Sequence, residues 1–450
     1  MYDIIIIGSG PAGYISAIRA SQVGLKTLLV EKENIGGMCL NWGCIPSKSM
    51  IESAKLFTKI KSSAKEFGVD GIDTQNLKFN WNQAIKRSQK IVKKLTSGID
   101  NLLNNKGVEI IKGEAIITSQ NTITVNNRNI EAKNIIIATG SFQKMLKFKN
   151  SENAVLEVKN LFTERELPEN IVVYGENSVA IEIAQMLNLI GKQITLIVPS
   201  KRILPMIDEF LANYFVNKLL KDNIKLIFET IITVKAEFKN GNLTINKLKV
   251  DCDLIINAQL RNSILPKSEI EFELENGFLK VDENCKTNFK NIFAIGDVNG
   301  LSSYAHIGSA QGLHVINHIQ GITSELNLKK YPINMYSIPE IAQIGLTEQE
   351  VIKTGKQYKI NEFALSLNGK AMTEGDTEGF VRIISEARYG EVLGIQIIAQ
   401  NATDMIAEAS AFMEVEATVY DISRTIHAHP TISEVFMEAG LDAIGKAIHK

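Results

Sequence analysis

The sequence predicts an α/β chain made of two βαβ units followed by a separate α+β segment. Three observations carry this expectation. Asp3 to Ile7 is a short β-branched run that stops at Gly8-Ser9-Gly10-Pro11-Ala12-Gly13. The same pattern returns at Asn170 to Tyr174, which stops at Gly175-Glu176-Asn177-Ser178-Val179-Ala180. From Gly8 to Glu31 and from Gly175 to Val198 is 23 residues in each case, so the two units form an internal repeat.

In order along the chain, Asp3 to Ile7 is a buried strand, and a helix follows the first glycine turn to about Gly24. Leu25 to Val30 is the next strand, ending at Glu31. Met50 to about Lys106 reads as helical and polar on one face. Val108 to Ile137 has alternating apolar residues and Asn-rich turns, which predicts short antiparallel strands. That region ends in a strand running into the tight turn Ala138-Thr139-Gly140-Ser141. In the second unit, Asn170 to Tyr174 is a strand, Val179 to Leu189 a helix and Gln193 to Val198 a strand. Asn291 to Asp297 reads as a strand ending in an acid, and from Tyr331 the chain becomes a mixed segment.

Bulk properties exclude several classes. At 450 residues the chain is too long for one core. A formal net charge of −1 argues against a broad nucleic-acid or anionic-membrane surface. No apolar run approaches the roughly 20 residues of a membrane helix. Met1-Tyr2-Asp3-Ile4 runs straight into a strand, so no secretory signal is expected. Four cysteines do not make a disulfide scaffold, and a cytoplasmic setting is expected. Cys252 and Cys285 lie alone and read as buried side chains. No metal-ligand pattern is read.

Gly8, Gly10 and Gly13 have the spacing of a dinucleotide turn. The first permits the turn, the second lets a pyrophosphate approach the backbone, and the third allows close helix packing. Phosphate would sit on the helix N-terminus, and Glu31 would accept from a ribose diol. Cys39 and Cys44, in Gly36-Gly37-Met38-Cys39-Leu40-Asn41-Trp42-Gly43-Cys44-Ile45-Pro46-Ser47-Lys48, could close a disulfide if a helix begins there. Spacing alone leaves open two unrelated thiols. His427-Ala428-His429-Pro430-Thr431-Ile432-Ser433-Glu434 offers imidazoles and a carboxylate for proton transfer.

Over essentially its whole length the chain resembles the flavin-dependent pyridine nucleotide-disulfide oxidoreductases, and the dihydrolipoamide-oxidising members most closely. The resemblance rests on Gly8 to Gly13, Glu31, Gly36 to Lys48, Ala138-Thr139-Gly140, Gly296-Asp297, Ala305-His306, and His429-Pro430-Thr431 with Ser433-Glu434. It implies two Rossmann-like dinucleotide-binding domains and a C-terminal α+β interface (dimerisation) domain. The expected limits are 1–145 for the first part of the FAD domain, 146–265 for the NAD(P) domain, 266–330 for a central part completing the FAD site, and 331–450 for the interface domain.

The resemblance also implies residue roles. FAD would be held by Gly8, Gly10, Gly13, Glu31, Gly37, Gly113, Ala115, Thr139, Gly140, Ser141, Asp297 and Ala305, with Glu31 on the adenosine ribose and Asp297 on the ribityl and pyrophosphate region. Cys44 would lie nearer the isoalloxazine and Cys39 would exchange with substrate. Lys48 and Glu182 would pair near the flavin ring. His429, oriented by Glu434, would reach the disulfide of a second subunit in an obligate homodimer, with His427 structural or nearby. The substrate would be a dihydrolipoyl group on an acyltransferase or carrier protein of a 2-oxo acid dehydrogenase complex, and the acceptor NAD⁺, with NADP⁺ as the alternative. The chain's last residues contain no cysteine pair, unlike mercuric reductases. Ser47 stands where glutathione reductases usually have lysine.

The second unit departs from the pattern. Gly175 is kept, but Asn177 stands where the pyrophosphate approaches, and Ala180 is a tolerated variant. Val198 stands where Glu31 stands in the first unit, and Leu260 replaces a family glycine. Lys201 and Arg202 could contact a 2′-phosphate. Glu182 is retained. Altered NAD use, NADP use, and a paralogue that binds FAD and a partner but turns over poorly all stay open.

Overall fold

A computed structural model, describing residues 1–328 and 330–450, places the chain in two compact units that interleave along the sequence. The first comprises Met1–Lys147, Val155–Leu167 and Gln259–Leu326. The second comprises Phe148–Ala154, Pro168–Ala258 and Asn327–Lys450. The second βαβ unit and the C-terminal segment therefore belong to one compact body.

In the first unit, strand Tyr2–Ile7 pairs in parallel with Thr27–Glu31 on one side and Arg128–Ile137 on the other. Thr27–Glu31 in turn pairs in parallel with Glu109–Lys112. The Ile-rich central strands are buried, as parallel strands covered on both faces must be. Ile4, Ile6 and Leu29 face one core, which includes Ala12, Ala17 and Val315. Ile5, Ile7, Leu28 and Val30 face the other. Helices Pro11–Gln22 and Ala305–Ile319 pack closely because small residues meet. A Cβ on Gly308 would come within 3.1 Å of Ala12 Cβ, and one on Gly312 within 2.2 Å of Ser16 Oγ.

In the second unit, Asn170–Tyr174 pairs in parallel with Gln193–Ile197 and with Leu254–Asn257. The C-terminal segment is a five-stranded antiparallel sheet. Its buried strand Val392–Ala399 is flanked by Glu340–Gly345 and Phe380–Glu386. Helices Ala402–Glu414 and Glu434–Ala443 share a core with this sheet through residues such as Ala409, Val435 and Phe436.

Three sequence expectations need correction. Residues 50–106 are not one helical stretch. Helix Cys44–Ser63 ends before 64–80, where Gly68 and Gly71 adopt positive φ and Asp73 accepts from Gln75 and Asn76 N–H, and helix Trp81–Asn105 starts with Asn80 as its N-cap. Strand Glu109–Lys112 is parallel, because it extends the main sheet, while Ile116–Ile117, Thr122–Val125 and Arg128–Ile137 do form the antiparallel ladder. Asp297 lies in the 3-10 turn Gly296–Asn299, beyond the short strand Ile292–Ala294.

Candidate active site

The first glycine turn is built as its spacing predicts. Gly8 N–H donates to Val30 O at 2.8 Å, with φ of +102°. A Cβ on Gly8 would stand 2.3 Å from Ala138 O, and one on Gly13 only 1.9 Å from Gly8 O. Gly13 thus serves strand-helix packing and is not part of the cavity wall. Gly10 has open space where a side chain would be, and the Pro11–Gln22 helix has no side-chain cap. Its N-terminus is therefore free to take a phosphate. Gly37 has φ of +57°, and a Cβ there would come 2.7 Å from Gly10 Cα.

Gly8, Gly10 and Gly37 border a cavity of about 620 Å³. Gly113, Ala115, Thr139, Gly140, Ser141, Asp297 and Ala305 line it, as do Glu31, Cys39 and Cys44. Glu31 is held by a residue that sequence reasoning missed. Ser9 donates to its Oε2 from both the backbone N–H at 2.8 Å and the hydroxyl at 2.6 Å. Glu33 N–H donates to Oε1 at 2.7 Å. A carboxylate offers about four lone-pair sites, so capacity remains for a ribose diol. The open helix N-terminus, bare Gly10 and fixed carboxylate fit the pyrophosphate and ribose of FAD. Glu31→Ala is expected to weaken FAD retention by about tenfold or more, measured as flavin released on dilution and gel filtration.

The cysteines meet through two consecutive helices, not one. Cys39 lies in helix Gly37–Asn41, and Cys44 opens helix Cys44–Ser63. Trp42 and Gly43 N–H both donate to Met38 O, at 3.0 and 2.8 Å, which closes the end of the first helix. Both cysteines are thiols here, and Cys39 hydrogen-bonds to Cys44. That bond, followed by burial, pushes the Cys39 thiol well up, against the pull of the Lys48 ammonium. Cys44 itself opens a helix, and a helix N-terminus favours a thiolate. Lys48 lies one turn along the same helix, outside the cavity wall.

Beside Cys44, a cluster absent from the sequence reading fixes Asp297. Ser141 Oγ donates to Asp297 Oδ2, while Arg261 Nε donates to Ser141 Oγ at 2.9 Å. The Arg261 guanidinium lies 5.2 Å from the Trp42 ring centroid, within cation–π range. Burial pushes the Asp297 carboxyl up, against the Ser141 hydroxyl and the Arg261 guanidinium. Gln311 Oε1 accepts from Gly296 N–H at 2.6 Å and so anchors this turn.

In the second unit, His429 Nδ1 lies 2.9 Å from Glu434 Oε1, and Glu434 Oε2 accepts from Thr431 N–H at 2.8 Å. Burial alone would raise the Glu434 carboxyl, but Thr431 N–H and His429 outweigh it and hold it below the usual range. The His429 side chain is 81% exposed. His427 is its opposite. At 5% side-chain exposure, its Nε2 meets Glu408 Oε1 at 2.6 Å and its Nδ1 meets Thr425 O at 3.0 Å. Both partners are acceptors, so both ring nitrogens carry protons, and the Glu408 bond raises the His427 pKa. An imidazolium has no lone pair for base work.

The second glycine turn repeats the first. Gly175 N–H donates to Ile197 O at 3.0 Å, and a Cβ on Gly175 would stand 2.4 Å from Ala258 O. Val198, at the position of Glu31, is fully buried. Arg202 does not present a fork to a 2′-phosphate, because its Nη2 donates to Leu204 O and Ile207 O at 3.2 and 2.6 Å. Glu182 is 5% exposed, and its Oε1 accepts from Tyr336 N–H at 2.9 Å. Lys48 and Glu182 belong to different compact units, as do the cysteines and His429.

Residues 2–312 match the family described as pyridine nucleotide-disulphide oxidoreductase, and residues 331–440 match the dimerisation domain of the same family. The chain belongs to the pyridine nucleotide-disulphide oxidoreductases. FAD and a pyridine nucleotide are the cofactors of this family, and the chain is an oxidoreductase. It is 35% identical to a dihydrolipoyl dehydrogenase of Bacillus subtilis, covering 100% of this chain and 99% of the relative. It is 33% identical to one from Geobacillus stearothermophilus, covering 99% and 97%. Among solved structures, it is similar to the HOCl-induced flavoprotein disulfide reductase RclA from Escherichia coli, with a TM-score of 0.87 at 21% identity over 98% of this chain and 99% of that one. LpdA from Mycobacterium tuberculosis gives 0.88 at 23% identity, with the same coverage. At these identities the two structures speak to the fold. Among the described residues no helix is long and apolar enough to cross a membrane.

Proposed function

We propose that this oxidoreductase reoxidises dihydrolipoyl groups of a 2-oxo acid dehydrogenase complex, using Cys39 and Cys44 as its redox couple and NAD⁺ as acceptor. The observation that carries the reading is the asymmetric cysteine pair on the wall of a cavity suited to FAD, with Cys44 on a helix N-terminus. In the oxidised enzyme Cys39 and Cys44 form a disulfide. His429 takes a proton from one substrate thiol. The resulting thiolate attacks Cys39 Sγ, and Cys44 leaves as thiolate. The second substrate thiol then attacks the mixed disulfide, closing the substrate disulfide and releasing Cys39. The substrate loses two electrons and the couple gains them. Bound FAD supplies the two-electron relay from the reduced couple to the nicotinamide.

The dimerisation-domain match supports a homodimer, in which the exposed His429 serves the partner's disulfide. Full-length relatives named for dihydrolipoyl oxidation weigh against a paralogue that does not turn over. The self-bonded Arg202 weighs against NADP⁺. The test is the purified flavoprotein with dihydrolipoamide and either NAD⁺ or NADP⁺. NADH is expected to form faster than NADPH. Flavin reduced by dihydrolipoamide with neither nicotinamide following would sink the acceptor half of the proposal.

A further inference from the structure

The two glycine turns begin with the same backbone hydrogen bond and differ, among other positions, where Gly10 of the first is matched by Asn177 of the second. Gly10 has φ −63° and ψ 179°, and Asn177, its counterpart, has φ −91° and ψ 177°. An extended backbone accepts any residue, so asparagine causes no strain here. What changes is the space in front of the helix. At the Pro11–Gln22 helix no side chain caps the N-terminus. At helix Ser178–Leu189, Asn177 Oδ1 accepts from Ala180 N–H at 3.1 Å. Its Nδ2 donates to Ala258 O at 2.9 Å, which ties the amide to the end of the neighbouring strand. The loop after the next strand is tied to the same turn, since Leu204 N–H donates to Glu176 O at 2.7 Å.

We infer that Asn177 is a built-in competitor for the pyrophosphate of the acceptor dinucleotide and thereby sets the acceptor affinity of this enzyme. The inference rests on the NAD⁺ reading above. A helix N-terminus recruits phosphate with its unpaired N–H groups. Here one of those groups already has a partner from within the chain. A dinucleotide must rotate the Asn177 amide away, breaking both of its hydrogen bonds, before its phosphate can take Ala180 N–H. The adenylate half gains little in return, because buried Val198 offers no acceptor to a ribose diol. The phosphate seat is thus present, closed by its own cap, and opened by removal of a single side chain.

The test is titration of the FAD holoenzyme with ADP-ribose, read calorimetrically. ADP-ribose carries the pyrophosphate and no nicotinamide, so binding is measured whether or not NAD⁺ is reduced. Asn177→Gly is expected to bind about tenfold more tightly than the wild type, the equivalent of about one net hydrogen bond. Glycine is an accepted N-cap, so little loss of thermal stability is expected. Asn177→Ala, which also removes both hydrogen bonds, should tighten binding in the same direction. Asn177→Asp keeps the cap and adds negative charge, so it should bind more weakly than the wild type. Equal or weaker ADP-ribose binding by folded Asn177→Gly and Asn177→Ala would overturn the inference. NADH formation in that case would leave the proposed function standing, while tightened ADP-ribose binding without NADH formation would do the reverse.

Discussion

Cys44→Ser is expected to remove oxidation of dihydrolipoamide, with a fall in rate of about 10⁴-fold or more. The size follows from the chemistry. A dithiol can be oxidised by thiol exchange only if the enzyme holds a disulfide to break, and one remaining cysteine cannot form it. The direct readout is a thiol count on denatured protein before and after dihydrolipoamide. The wild type should gain two thiols and the variant none. The second readout is spectroscopic. In the proposed mechanism Cys44 leaves as the thiolate, so any long-wavelength absorbance arising from a thiolate against flavin should be absent in Cys44→Ser. Cys252 and Cys285 are the internal controls. Each is 1% exposed, and burial pushes both thiols up to about 12. Serine at either position should leave the exchange intact. Turnover or a two-thiol gain in Cys44→Ser would remove the pair from the mechanism.

The parts of the site legible in the sequence are those in which one stretch of chain supplies its own reason. Gly8, Gly10 and Gly13 do three separate jobs within six residues. Cys39 and Cys44 lie in two successive helices and not within one. Long-range partners were not legible. Ser141 and Arg261 meet because strands Ser141–Gln143 and Arg261–Ser263 pair, across 120 residues of sequence. Gly308 and Gly312 look like ordinary helix residues until Ala12 and Ser16 are seen against them. Ser9 lies inside the motif at a position the fingerprint leaves variable, so its grip on Glu31 had no signal. The Asn177 departure was legible as an obstruction. That its amide caps the helix and bridges to Ala258 needed the fold, because Ala258, just past strand Leu254–Asn257, is 81 residues away.

His429→Gln is expected to slow disulfide reduction by dihydrolipoamide about 10²- to 10⁴-fold near neutral pH, the usual worth of a positioned general base. Glutamine keeps the length and a polar tip but cannot accept a thiol proton. In the variant, the attacking thiolate must come from the substrate's own ionisation, near pH 8.5 for a free thiol. Its rate should therefore rise steadily with pH and approach the wild type at the alkaline end. Glu434→Gln tests the orienting carboxylate. Its amide oxygen can still accept from Thr431 N–H, so the loop should hold while the charge behind the imidazole is lost. A smaller fall, about tenfold, is expected there. His427→Gln removes a buried imidazolium that bridges Glu408 and the Thr425 carbonyl, so its cost should appear in thermal stability and leave the pH profile unchanged in shape. The three profiles separate the roles. A His429→Gln enzyme with the wild-type pH dependence would mean that the proton goes elsewhere, and the exposed ring of His429 would then have no part in the exchange.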